Sequence, residues 1–325
     1  MTVSREQIIW CYRVFLGREP ESEESIATHQ SVSSLKELRA RFVGSAEFIR
    51  NWPKLASPHD SNAPDHPLPL DLPSIDVEVA GNTLEVAECI AKIRKTWVQL
   101  GTEKAHFSVV PENEYLPETL DATIEQFWQS GENECKRIER IFSRLRLPLT
   151  RNMTCVDYGC GVGRVTIPLA TRFRKVLGYD ISPTHLSHAK ERARIVQASN
   201  VAFHTCSDFF VDQPERCDFY YSAGVYQHNP PVIIAQLLRN ALAALSPAGT
   251  AIIQVPTYCV GYNFHLREWL AADYRADTQM HCLPQAAIFE IARDGKCEIV
   301  EVREDNTMNS RARLISNTII LRKNH

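Results

Sequence analysis

The sequence predicts an α/β protein: a doubly wound, mostly parallel sheet of seven strands with a C-terminal antiparallel edge hairpin, preceded by a small all-helical domain. Three observations predict it. From residue 151 onward, short apolar runs alternate with helical segments, the pattern of a parallel sheet. The first run, Met153 to Tyr158, enters a loop with glycines at 159, 161 and 163, and a helix is expected from Val165 to Arg172. The last two runs, Glu298–Arg303 and Ser316–Arg322, are separated only by the polar stretch Glu304–Arg313. No helical period lies there, which predicts a hairpin.

In order along the chain, residues 1–52 read as a helical accessory module. Ser4-Arg-Glu-Gln7 is a capping-box start, and Ile8, Cys11, Tyr12 and Phe15 then share one helical face. A shorter helix is expected near Ser22 to Gln30. Ser34-Leu-Lys-Glu37 opens another, with Leu35, Leu38, Phe42, Ala46 and Ile49 at helical spacing. Residues 53–75 carry prolines at 53, 58, 64, 67, 69 and 73. Proline fixes φ and has no N–H, so an extended linker is expected. Residues 76–150 form a helical lead-in. Val86, Ile90, Ile93, Trp97 and Leu100 share a face, and a loop is expected from Ala105 to Pro117. Two helices follow, Glu118 to Gln129 and one through Cys135, Ile138, Ile141 and Leu145, parted at Ser130-Gly131.

Residues 151–325 hold the sheet. Strands are expected at Met153–Tyr158, Lys175–Asp180, Val201–Thr205, Asp218–Ser222 and Thr250–Val255, besides the final pair. A helix from Pro231 to Leu245 starts on a proline suited to the first turn. Another is expected near Pro284–Ala292.

Composition excludes several classes. Hydrophobic residues make up 44% and charged residues 23%, ordinary for a globular protein. The formal charge of -3 gives no basic field for nucleic acid or a membrane surface. No apolar run is long enough to span a membrane, and the N-terminus lacks the form of a secretory signal. The ten cysteines form no C-x-x-C and no zinc-ligand spacing. Free thiols in a reducing, cytoplasmic compartment are expected, with no metal.

The chemistry gathers at strand ends. In a doubly wound sheet, ligands bind at the carboxyl ends of strands where strand order reverses. Glycines at alternate positions let a ligand approach the backbone of the first loop closely. A dinucleotide fingerprint would place the third glycine one residue later. Asp180 ends the second strand, and a carboxylate there can accept from two hydroxyls. The alternative is a helix N-cap, since Ile181-Ser-Pro-Thr opens the next helix; cap and ligand roles need not exclude each other.

The stretch Asp157-Tyr-Gly159-Cys160-Gly161-Val-Gly163-Arg164 resembles motif I of class I S-adenosylmethionine-dependent methyltransferases, D/E-x-G-x-G-x-G. Three further segments are similar to that family in order: Ser207-Asp208-Phe209 after strand three, Ser222-Ala223-Gly224 and Tyr226-Gln227-His228 after strand four, and Leu245-Ser-Pro-Ala-Gly-Thr250 before strand five. In the last, Ala248 replaces a glycine.

The resemblance covers residues 150–325 and implies the following. S-adenosyl-L-methionine lies across Gly159, Cys160, Gly161 and Gly163. Asp180 and Ile181 face its ribose, Asp208 its adenine amino group and Phe209 the ring. Asp157 lies near the methionine amino group or fixes the loop. Arg164 meets the ligand region or solvent. The lead-in forms a lid, in which Tyr115, Phe127 and Trp128 pack or reach the cofactor, with Tyr226 and Gln227 on the substrate side.

His228 is the candidate general base for an oxygen acceptor, because imidazole titrates near neutral pH. A structural histidine held by a backbone carbonyl is the alternative. His106, His265 and His281 are weaker candidates.

The N-terminal words Tyr12-Arg13-x-x-Leu16-Gly17-Arg18-Glu19-Pro20 and Phe42-x-x-Ser45-x-Glu47-Phe48 resemble a small bacterial module of unassigned function. That module occurs beside glycosyltransferase, methyltransferase and cell-surface domains. It implies a setting in glycan or natural-product assembly and a docking role toward a partner enzyme.

The expected function is methylation of a small-molecule or saccharide acceptor, O-methylation of a hydroxyl ahead of N- or C-methylation. The rival is a scaffold protein that keeps a cofactor pocket. Nucleic-acid methylation is disfavoured, because Val232 stands where Asn229-Pro-Pro231 would need an aromatic residue to stack on a flipped base.

Overall fold

A computed structural model describes residues 3–16, 18–32, 34–43, 45, 47–48, 73–206, 216–272, 279–305 and 314–325. The chain divides into two compact units, Met1–Leu70 and Asp71–His325.

Among the described residues the first unit packs helices α1 (Arg5–Cys11), α2 (Glu23–Gln30) and α3 (Leu35–Val43). Each starts on a serine. Ser4, Ser22 and Ser34 accept from the backbone N–H three residues on, each at 3.2 Å. Past Cys11 the chain widens into a π-helical turn, Tyr12–Leu16. Ile8, Cys11, Tyr12, Ile26, Leu38 and Phe42 form its core. Leu35 departs from the expected apolar face and is 43% exposed; it stands at the very start of α3. Ala46 and Ile49 lie outside the described residues. The motif words act structurally here. The Arg18 guanidinium bonds both oxygens of Glu47 at 2.6 and 2.7 Å, clasping the turn after α1 to the segment after α3.

The second unit begins with a short strand, β1 (Asp76–Val77), and then the 27-residue helix α4 (Thr83–Val109). Asn82 and Glu85 form the capping box of α4. The expected loop at Ala105 is instead its last turn, set off by one non-helical residue, Lys104 (φ -156°, ψ 61°). Likewise α5 (Leu120–Arg144) is one helix where the sequence suggested two. Gly131 does not break it. A Cβ there would lie 1.9 Å from the Arg164 carbonyl oxygen, so this glycine serves close packing.

The strands and helices then alternate. They are β2 (Thr154–Tyr158), α6 (Thr166–Leu169), β3 (Lys175–Asp180), α7 (Pro183–Ile195), β4 (Val201–Thr205), β5 (Cys217–Ser222), α8 (Pro231–Ala244) and β6 (Leu245–Cys259). After β7 (Asn263–Phe264) and α9 (Leu266–Ala271) come α10 (Gln285–Asp294), β8 (Cys297–Asp305) and β9 (Leu314–Lys323). The seven-stranded sheet has the order β4-β3-β2-β5-β6-β9-β8. Its first five strands are parallel, and β9 runs antiparallel to both neighbours, the expected edge hairpin. β1 and β7 form a separate parallel ribbon. All five residues of β2 are buried, as a central strand covered on both faces requires. Helix α6 stops at Leu169, short of the expected Arg172, because the next three amides, of Ala170, Thr171 and Arg172, donate three residues back, to the Ile167, Pro168 and Leu169 carbonyls. Strand order reverses between β2 and β5, which places a crevice at their carboxyl ends.

Candidate functional site

The loop after β2 is shaped by its glycines. Gly159, Gly161 and Gly163 have φ of 74°, 53° and 83°, a region costly for other residues. The Gly159 and Cys160 amides donate to the Tyr179 carbonyl of β3 at 2.7 and 2.9 Å, which pins the loop to the neighbouring strand. Asp180 then clasps it from the other side. One carboxylate oxygen accepts from the Gly161 amide and the other from the Ser182 amide, each at 2.8 Å. The cap of α7 is Ser182, not Asp180. Burial raises the pKa of Asp180, opposed by His185 and the amides.

Asp157 accepts from the Thr166 hydroxyl at 2.6 Å and so ties the strand end to α6. Burial pushes its pKa up to about 6, against the pull of Thr166 and Arg164.

These residues edge a cavity of about 870 Å3, its open mouth included. Of the predicted residues, Asp157, Gly159, Cys160, Gly161, Arg164, Asp180, Ile181, Ala223 and Gly224 line it. Several others do not. Gly163 faces Ala189 and Ile167, where a Cβ would stand 3.2 Å from each, so it lets α7 and α6 approach. Ser222 is fully buried and donates to the Tyr158 carbonyl at 2.9 Å. Tyr226 is buried with its hydroxyl 3.4 Å from that of Tyr220. Gln227 is buried, and its Oε1 has no partner among the described residues. Tyr115, Phe127 and Trp128 pack with Ala105 and Val162, buttressing the glycine loop from behind. Ser207, Asp208 and Phe209 lie outside the described residues.

His228 is also off the cavity wall. Its Nδ1 lies 3.3 Å from the Gln279 carbonyl, and its ring packs edge-on against Trp97. Burial pushes its pKa down to about 4. His281 bonds the Tyr262 hydroxyl at 2.8 Å and is also lowered by burial to about 4. His106 packs among Phe127, Trp128 and His188 and is likewise near 4. His265 lies 4.0 Å from Asp76 on the short ribbon.

The lining includes residues that the sequence reading did not single out: Ser108 and Val109 from α4, His185 from α7, Cys206, Tyr221, Val225 and Asn229, with Trp97 counted only as core. His185 is 1% exposed. A signal was present, since Asp180-Ile-Ser-Pro-Thr-His185 puts a histidine in the first turn after the strand-end acid. The ten cysteines are unpaired, and burial raises Cys160 and Cys206 on the wall, the latter to about 12, so neither is a thiolate nucleophile. Among the described residues no cluster of three His, Cys, Asp or Glu could hold a metal, and no helix is long and apolar enough to cross a membrane.

Two polar atoms on lining residues, Arg164 Nε and His185 Nδ1, are buried without partners among the described residues. Two strand-end acids, a cation and a glycine cradle suit a ligand with hydroxyls and an amino-acid end.

The buried groups set an acid response. His106, His228 and His281 have folded pKa values below the unfolded value of about 6.5, so the unfolded chain binds more protons between about 4 and 6.5. Stability contributed by their neutral forms is therefore lost as pH falls through that window. Asp157 acts oppositely, because its folded pKa is raised and protonation favours the folded state below about 6. Asp180 is raised like Asp157, and His185 is lowered like the other three histidines, so four groups outweigh two. The urea midpoint is expected to fall from pH 7 to pH 4.5, and Asp157→Asn should make the fall steeper. A flat profile would contradict the burial of these imidazoles.

Residues 155–249 match the family model described as Methyltransferase domain. A trans-aconitate 2-methyltransferase of Variovorax paradoxus is 36% identical over 116 residues, covering 34% of this chain and 41% of the relative. A tRNA/tmRNA (uracil-C(5))-methyltransferase of Aliarcobacter butzleri is 25% identical over 131 residues, covering 34% and 35%. The chain thus spans about two-fifths of the length of these curated relatives. A solved structure of magnesium protoporphyrin IX methyltransferase from Synechocystis PCC 6803 with bound SAM has a TM-score of 0.49 at 17% identity, covering 76% of this chain and 100% of that one.

Proposed function

We propose that this chain is an S-adenosylmethionine-dependent methyltransferase acting on an oxygen of a small-molecule acceptor. The observation that carries the reading is Asp180. It stands at the end of β3 on the cavity wall, with each oxygen already engaged by one amide and lone pairs left for a second partner. The methyltransferase-domain match over 155–249 supports it.

The bound cofactor supplies a methyl group on a sulfonium, ready for in-line displacement. This chain's residues bind and orient. Gly159–Gly161 leave the backbone open to the ligand, Asp180 takes the ribose hydroxyls, and Asp157 with Arg164 faces the amino-acid end. Ser108, Val109 and Trp97 roof the cavity and exclude water. Alignment alone can supply much of such a rate.

Two oxygen acceptors are open. A hydroxyl must lose its proton, and His228 would be the base. A carboxylate arrives ionised and needs none. The placement of His228 off the wall, with its pKa near 4, favours the carboxylate, as does the trans-aconitate relative. Residues 1–52 would dock the enzyme to a partner of glycan or natural-product assembly.

The test is turnover to S-adenosylhomocysteine with a panel of carboxylate and hydroxyl acceptors, including saccharides. Product hydrolysed by mild alkali is an ester and identifies a carboxylate; stable product is an ether. No turnover with any acceptor, despite cofactor binding, would favour a non-catalytic scaffold.

A further inference from the structure

The proposed function uses Ser108 as part of the cavity roof but gives its contact with His185 no role. The last turn of α4, beyond the break at Lys104, lies over the glycine loop. Ser108 and Val109 line the cavity there, and Val109 Cγ2 is 2.6 Å from where a side chain at Gly161 would begin. One imidazole meets the helix on both sides of the break. Before it, Gly101 comes so close that a Cβ would stand 2.7 Å from His185 Nδ1 and 2.6 Å from Ser182 Oγ. After it, Ser108 Oγ is 2.8 Å from His185 Nε2.

The proton positions follow from counting donors. Ser108 has one hydroxyl hydrogen, and its Oγ is also 2.8 Å from the Ala105 carbonyl oxygen, which can only accept. The hydroxyl donates to Ala105, so His185 Nε2–H donates to Ser108. Nδ1 is then a bare acceptor, buried without a partner among the described residues. Burial lowers the pKa of His185, against the pulls of Asp180 and the Ala105 carbonyl, and so favours the neutral ring. His185 thus joins the turn above the cavity to the helix that begins just after Asp180.

We propose that His185 is a positioning residue that holds the 105–109 turn, through Ser108, as a roof over the bound cofactor. Ligand exit requires that hydrogen bond to break. The inference rests on the cofactor reading given above.

The test follows release of S-adenosylhomocysteine from the full-length chain by stopped flow. Ser108→Ala and His185→Leu are expected to release it roughly three- to tenfold faster, the range spanned by one buried hydrogen bond. His185→Gln, whose amide N–H can replace Nε2–H, should stay within about twofold of the parent chain. A purely structural role would not give that rescue. A second measurement needs no ligand: trypsin cleavage after Lys104 should be faster in Ser108→Ala than in the parent. Unchanged release and unchanged cleavage in Ser108→Ala would overturn the proposal, even if His185→Leu fails to fold. A parent chain that binds no S-adenosylhomocysteine would instead overturn the cofactor reading, and cleavage at Lys104 alone would then decide whether this contact holds the roof.

Discussion

Gly159→Ala is expected to cost roughly 2–5 kcal/mol of stability and to abolish ligand binding at the glycine loop. Two effects add. The residue has φ 74°, which costs an L side chain roughly 1–2 kcal/mol. The new methyl would also stand 2.2 Å from Val225 Cγ2, and overpacking of that kind typically costs about 1–3 kcal/mol. The two can be separated. Gly261 has φ 73° but no described residue within 4 Å of its would-be Cβ, so Gly261→Ala should show the backbone cost alone. Gly159→Ala combined with Val225→Ala should recover the steric part, less what the lost valine contributes. Urea unfolding of these three variants, with Val225→Ala alone as the control for the lost valine, checks this. Equal costs at Gly159 and Gly261 would mean that the approach of Val225 has no consequence.

The second large effect is at Asp180. Asp180→Ala should weaken cofactor affinity by an order of magnitude or more, because it removes hydrogen bonds from both the ligand and the loop that cradles it. The Gly161 and Ser182 amides lose their acceptor together. The stability cost should be smaller than the binding cost, since the alanine also ends the penalty of burying a carboxylate. Asp180→Asn keeps one acceptor oxygen but turns an N–H2 toward one of the two amides, so an intermediate affinity is expected. Calorimetric titration reads both variants. An unchanged dissociation constant for Asp180→Ala would remove the ribose assignment.

What the sequence revealed follows the range of its signals. The sheet was legible because each strand is a local apolar run, and the hairpin because nothing helical lies between its two runs. The acid Asp180 was legible because strand ends in this topology point at the crevice. Features fixed by distant partners were not. Ser108 and His185 meet across 77 positions, and neither residue type announces such a contact. Gly131 reads as a helix break locally, yet its reason is the Arg164 carbonyl in another element. The turn 105–109 reads as a loop by composition, but it continues α4 because Ser108 and Val109 find partners beneath it. Motif resemblance carried too much in places. Gly163 and Ser222 belong to matching segments, but here they serve helix packing and a backbone bond. His228 suited a base by residue type alone, whereas burial and the Gln279 carbonyl were invisible without the fold.

The most direct measurement is isothermal titration of the folded full-length chain with S-adenosylmethionine, with S-adenosylhomocysteine and NAD run in parallel. The expected result is one site per chain for each of the two sulfur nucleosides and no heat from NAD. Binding of NAD with no response to S-adenosylmethionine would contradict the assignment of the glycine loop and Asp180.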